Sequence, residues 1–261
     1  MSRHWIALLL AATAPAGITA QATNDEARLV VGIIGGWIGG GHLWDVTQPA
    51  YASLGQIDEF DLSRSLRSNI TMSGQVTYFP TPGFGWTGEL SYLGLGAKDK
   101  CFLSVNHSDN INNLACATIN GANRSASAVS GAVGVVLRPA SRSTVQPYLR
   151  ANVGLALVPR SHTTMAAFFG DDDDYAVIIY DENGSKAVKP IGALSLGIST
   201  APRSGYQLRL EARASAVQLQ VVDGPTPLGV SEPNIRSQWK VLPSISAGLD
   251  IVLEKRRGRR S

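Results

Sequence analysis

Outside the first few residues, three histidines, His42, His107 and His162, are the side chains best suited to acid–base chemistry near neutral pH. Each stands in or beside a different long polar stretch, where a histidine is most often simply solvated. A second candidate chemistry is calcium binding. Asp171, Asp172, Asp173, Asp174, Asp181 and Glu182 offer carboxylate oxygens, but the ligand order of a calcium loop is missing, so they read as an acidic surface segment. The run Gly32, Gly35, Gly36, Gly39, Gly40, Gly41 invites a phosphate-loop reading. No Lys-Ser/Thr and no helical pattern follow it, and glycine here lets a strand bend. Two cysteines, Cys101 and Cys116, have only His107 and Asp109 near them, too few ligands for a metal, so they are expected to form a disulfide. No catalytic residue, cofactor or metal is implied.

The elements that would position any such residues are constrained by composition and leader. Of 261 residues 44% are hydrophobic and only 16% charged, with 27 glycines and 13 prolines, which excludes a disordered chain and a helical bundle. The net charge of +3 is a terminal effect. Without Arg3 and the tail residues Lys255, Arg256, Arg257, Arg259 and Arg260, 17 basic side chains face 20 acidic ones, so a nucleic-acid partner is not expected. Residues 1–22 read as a secretory signal peptide: Arg3, an apolar segment from Trp5 to Ala14, and Ala20-Gln21-Ala22 as cleavage site. No later apolar run is long enough for a spanning helix, so the exported chain, 23–254 with a basic tail 255–261, is either a soluble or a membrane barrel.

Eight segments alternate apolar with small or polar residues: 29–40, 69–79, 84–95, 125–138, 145–157, 187–199, 206–219 and 238–253. In the seventh, Tyr206, Leu208, Leu210 and Ala212 oppose Gln207, Arg209, Glu211 and Arg213. In the eighth, Ile245, Ala247, Leu249 and Ile251 oppose Ser244, Ser246, Gly248 and Asp250. The first is less clean, with Val30, Ile34 and Ile38 on the face that should be polar. Compact turns, Pro80-Thr81-Pro82-Gly83, 139–144 and 201–205, alternate with long polar connections, the layout of a membrane barrel.

Periodicity alone does not choose which face looks outward. The aromatics Trp37, Tyr78, Phe84, Trp86, Tyr92, Tyr206 and Trp239 lie on the apolar face near strand ends, as an interfacial girdle requires. The polar face carries Glu89, Glu211 and Asp250 against Arg150, Arg209 and Arg213, a neutral set able to pair inside a narrow lumen. Both favour apolar out and charge in.

The chain resembles the small eight-stranded bacterial outer-membrane barrels, the OmpA-like transmembrane domain and its relatives. The resemblance rests on the leader, on Tyr206-Gln207-Leu208-Arg209-Leu210-Glu211-Ala212-Arg213, on Gln146-Pro147-Tyr148-Leu149 and on Ser246-Ala247-Gly248-Leu249. It implies an all-β, up-and-down transmembrane barrel in the outer membrane, with outer-membrane lipids and the barrel assembly machinery as partners and four loops exposed to the outside. A structural or surface-interaction role follows, for an extracellular ligand the sequence does not name. The alternatives are a narrow channel or transport barrel, a lipid-modifying enzyme using His162 with Thr163 or Thr164, and a soluble lipocalin-like binder. The basic tail is either a solvated terminus or a segment drawn to anionic headgroups.

Overall fold

The computed structural model describes residues 25–52, 55–107, 110–121, 123–158, 165–169, 175–180, 187–201 and 205–257. The eight alternating segments form eight strands: β1 (Asp25–Ile38), β4 (Asn69–Thr81), β5 (Phe84–Gly94), β8 (Ser127–Leu137), β9 (Val145–Val158), β12 (Ala187–Thr200), β13 (Tyr206–Val222) and β14 (Ile235–Arg257). They close in the order β1-β14-β13-β12-β9-β8-β5-β4, and β4 pairs back onto β1; every pairing is antiparallel. Closure leaves the barrel no free edge, so its backbone donors and acceptors are satisfied between strands.

At one end neighbouring strands are joined by Pro82-Gly83, 138–144 and 201–205. The connections 39–68, 95–126, 159–186 and 223–234 leave from the other end, and the first three carry secondary structure that the polar composition does not predict. These are β2 (Gly41–Tyr51), β3 (Ile57–Leu66), β6 (Ala97–Val105), α1 (Asn110–Gly121), β7 (Asn123–Arg124), β10 (Met165–Phe169) and β11 (Tyr175–Tyr180). The second sheet runs β2-β3-β6-β7, the barrel order β1-β4-β5-β8 repeated one storey up. Each of these four barrel strands is joined to a sheet strand across a two-residue break: 39–40, 67–68, 95–96 and 125–126. Hydrogen bonds tie the breaks together, from Arg67 N to Gly96 O (2.7 Å), Leu95 N to Ala126 O (2.8 Å) and Gly39 N to Pro243 O (2.6 Å). A Cβ at Gly40 would lie 2.0 Å from the Leu66 carbonyl oxygen, so only glycine lets these chains pass.

The upper storey is a folded cap with its own core. Leu43, Trp44 and Val46 of β2, Phe60, Leu62 and Leu66 of β3 and Cys101 of β6 pack with Ala115, Cys116 and Ile119 of α1 and with Tyr180 of β11. Val217, Leu219 and Val221 from the overlong end of β13 complete the cluster. The helix buries Asn112, Ala115, Cys116 and Ile119, a helical spacing hidden in an Asn-rich stretch. Cys101 and Cys116 are joined as a disulfide. Asn120 also covers the free edge of β6, accepting from Cys101 N (2.9 Å) and donating to Cys101 O (2.8 Å), as a strand would.

At the far end β14 stays paired with β1 as far as Asp25↔Arg257. Lys255, Arg256 and Arg257, which the sequence reading assigns to a separate tail, therefore belong to the last strand.

Candidate functional site

The barrel interior is built from the inward face of each strand. Arg150 of β9 lies at its centre, 1% exposed, and pairs with Glu89 of β5 at 2.9 Å and with Glu211 of β13. Arg213 also pairs with Glu89. Further hydrogen bonds surround these ions, although among the described residues Arg150 Nε and Asn152 Oδ1 are buried without a partner. Tyr148 Oη donates to Glu211 (2.7 Å), Asn152 Nδ2 to Glu89 (3.2 Å), Ser91 Oγ to Glu89 (2.5 Å), and Arg150 also donates to Gln75. This is the condition under which an enclosed ion is tolerated, because desolvation then is offset by several charge-assisted bonds. Arg209 and Asp250 form a looser pair, 3.3 Å apart. They border a cavity of about 30 Å3 shared with Gln75, Tyr148 and Gln207. The tyrosine ring of Tyr148 lies over Gly197 of β12, where a Cβ would stand 2.3 Å from its hydroxyl oxygen, so glycine makes room for the aromatic that anchors the network.

Below the ions an apolar floor forms from Ala27, Val30, Phe79, Val136, Tyr148 and Val252. Arg138, absent from the sequence-level candidates because it stands just past the end of β8 at the start of a turn, seals it. Its guanidinium lies 4.0 Å over the Phe79 ring and donates to the carbonyls of Pro82 and Ala27 and to Gln146 Oε1. Val30, Ile34 and Ile38, the irregular apolar residues of β1, point inward. Val30 joins the floor and Ile38 the cap core.

The outward face is the reverse. Leu208 is 64% exposed where its neighbour Arg209 is 5% exposed, and Leu90, Val133, Val153, Leu196 and Ile245 are exposed around the circumference. Trp37, Tyr92 and Trp239 project outward toward the capped end; Tyr78, Phe84, Trp86 and Tyr206 project outward toward the short-turn end. Across the breaks this polarity flips. In β3, Phe60 and Leu62 are buried and Asp61 and Ser63 face out; in β6, Cys101 is buried and Lys98 and Lys100 are exposed. A closed ring of apolar side chains that stops at one level, with polar side chains beyond it, is a surface made for a hydrocarbon layer of finite thickness.

The chain is an eight-stranded transmembrane β-barrel.

Comparison with solved structures gives loose overlays on proteins of this kind. Neisserial surface protein A matches at 12% identity and TM-score 0.40, over 89% of this chain and 99% of that one. Outer-membrane protein AlkL matches at 13% identity and TM-score 0.39, over 94% and 98%. Ail, the attachment invasion locus protein of Yersinia pestis, matches at 11% identity and TM-score 0.34, over 86% and 98%. No family model and no curated protein matches the sequence.

The cap holds the polar chemistry that sequence reasoning missed. Arg64 and Asp99, 0% and 1% exposed, pair bidentately at 2.5 and 2.7 Å, with Arg64 5.4 Å from the Trp44 ring centre. Gln48 joins three segments: its Nε2 donates to Thr226 O (3.1 Å), and its Oε1 accepts from Thr226 N and from Tyr180 Oη, both 2.8 Å. Burial pushes the Tyr180 hydroxyl well above its ordinary range. Asp58 is the hub of the β3–α1 corner, accepting from His107 N (2.9 Å), the His107 ring (3.0 Å) and Asn112 Nδ2 (2.9 Å). Burial opposes its ionisation, but the bonds from Asn112 and His107 outweigh it and hold the carboxyl below its usual value.

His107, expected to be solvated, is thus a structural partner of Asp58. His42 lies in β2, exposed, beside Asp45 at 2.9 Å. His162, Thr163, Thr164 and the acidic residues Asp171 to Asp174, Asp181 and Glu182 lie outside the described residues. Among the described residues no group of three or more His, Cys, Asp or Glu is placed to hold a metal ion.

Proposed function

We propose that this chain is an outer-membrane surface protein, delivered by a signal peptide at 1–22 and inserted by the barrel assembly machinery. Outer-membrane lipids meet its apolar belt, and the cap faces the outside as an interaction surface for an extracellular ligand. The observation that carries the reading is the cap itself. Connections that served only to join strands would need no buried Arg64–Asp99 pair, no disulfide-tied helix and no core continuous with the barrel mouth. A rigid scaffold that holds surface residues in place is what recognition requires.

The same core, stacked on the ion pairs and the Arg138 floor, argues against a diffusion pathway, since an eight-stranded lumen is only wide enough for side chains to fill. The residues Lys255, Arg256 and Arg257, at the short-turn end of β14, suit the anionic headgroups of the inner leaflet. Fractionation with a heat-modifiability gel tests the placement, and cysteine labelling of whole cells at Phe102 tests the orientation. Recovery of the folded protein in the soluble periplasm would overturn the reading, as would steady single-channel conductance of the intact chain in planar bilayers for the closed lumen.

A further inference from the structure

The outer wall of β5 and β6 is a single line of side chains that can be measured against the membrane. Trp86 belongs to the aromatic set at the short-turn end, and the apolar belt of such a barrel is about 25 Å tall. A strand rising about 3.3 Å per residue and tilted by about 40° climbs roughly 2.5 Å per residue along the membrane normal. Lys98 then stands about 5 Å beyond the belt, Lys100 about 10 Å and Phe102 about 15 Å.

All three point outward, and Phe102 is 69% exposed. Directly across on β3 lie Ser65 beside Lys98, Ser63 beside Lys100 and Asp61 beside Phe102. The two lysines therefore share their patch with hydroxyls. Of the acids on this face, Glu59 lies higher, across from Val105; Asp61, across from Phe102, accepts from Thr47 Oγ1 at 2.6 Å, and Asp45, across from Ser63 on the side away from the lysines, is held beside His42. Among the described residues neither lysine has an ion-pair partner. The backbone beneath them is held by what the alternate residues do inside the cap: Asp99 is locked to Arg64, and Cys101 to Cys116. The patch is preorganised, so a ligand need not order it.

We infer that Lys98, Lys100, Ser63, Ser65 and Phe102 form a site for the phosphorylated sugar headgroup of an outer-leaflet glycolipid. The lysines and serines take the phosphate, by charge and by hydroxyl donation. The aromatic face of Phe102 takes the C–H face of a sugar ring. Thickness selects the class: a phospholipid headgroup layer is about 5–8 Å deep and would reach Lys98 but leave Phe102 in water, whereas a phosphosugar extends to it. The site rests on the outward orientation proposed above.

Native mass spectrometry of the folded, full-length protein, released from detergent micelles with added lipid, tests it. The probes are lipid A (an acylated, bis-phosphorylated glucosamine disaccharide), the same molecule dephosphorylated, and phosphatidylglycerol. The expected result is retention of lipid A about tenfold or more above phosphatidylglycerol. Lys98→Gln with Lys100→Gln should abolish that preference, as should dephosphorylation, and Phe102→Ala should weaken lipid A retention several-fold while leaving phosphatidylglycerol unchanged. Equal retention of lipid A and phosphatidylglycerol, or a double variant indistinguishable from the parent, overturns the site. Each variant is first shown to keep its heat-modifiable gel shift. If that shift and membrane recovery are present in the parent, a negative result condemns the site alone; if they are absent, the membrane reading itself has failed.

Discussion

The barrel and its cap are built along the same strand lines from the same alternating pattern, and they use it in opposite senses. In β5, Glu89 and Ser91 face in while Leu90 and Tyr92 face out; in β6, Cys101 faces in while Lys98 and Lys100 face out. The difference teaches that alternation encodes two faces without saying which is wet. Below the break the surroundings are hydrocarbon, so ions and hydroxyls retreat to an interior where they can satisfy one another. Above it the surroundings are water, and the ordinary arrangement returns, an apolar core with a charged surface.

The sharpest way to break this comparison is to remove the central ion of the lumen. Arg150→Met leaves Glu89 and Glu211 buried without their main partner and should destabilise the barrel by about 3–5 kcal/mol. Urea unfolding followed by the loss of the heat-modifiable gel shift measures this, and an unchanged midpoint would mean the ions are not enclosed. Next in size, one substitution placed on either side of the break tests the inversion directly. Leu90→Arg, in the belt, should cost about 2–4 kcal/mol in lipid. Phe102→Arg, in the cap, should cost less than about 0.5 kcal/mol, as a surface change away from special features does. Similar costs at both positions would show that the lipid boundary is drawn in the wrong place.

The disulfide separates the storeys by another route. Cys101 and Cys116 stand 15 residues apart, a loop whose closure contributes about 3 kcal/mol in the chain-entropy model. Cys101→Ser with Cys116→Ser should therefore raise proteolysis and amide exchange over 97–121, while the barrel's detergent resistance stays as it was. Loss of both together would make cap and barrel one cooperative unit. The smallest effect is set by pH. Asp58 has its folded pKa below the unfolded value, so its contribution is whole above the ordinary carboxylate range and is lost as pH falls through the folded value. Exchange at His107 and along the first turn of α1 should accelerate on acidification below about pH 4, and Asp58→Asn should flatten that dependence. Acceleration on raising the pH instead would give the shift the wrong sign.

Much of the barrel is legible in the sequence because membrane strands are long, regular and separated by strong turn signals. The eight segments match the eight barrel strands to within a few residues at most ends. The cap is less legible, although part of its signal is present: Phe60, Leu62 and Leu66 alternate with Asp61, Ser63 and Ser65, with Arg64 interrupting the apolar side. Its strands are short and lie between polar turns, and its helix has an interior of only Asn112, Ala115, Cys116 and Ile119. A helix so weakly apolar is stabilised by what it packs on, here β6 and β10, more than by its own periodicity.

Sequence alone determined the number of barrel strands, the two faces of each of them and the pool of lumen charges, since these follow from a period of two and from the turns that interrupt it. Tertiary structure alone decided who meets whom. Arg150 reaches Glu89 and Glu211 across the lumen, Arg64 finds Asp99, Arg138 closes the floor, and Asp58 gathers His107 and Asn112. Those partners stand tens of residues apart in the chain, and only the closure of the sheet and the order in which its strands pair bring them within bonding distance.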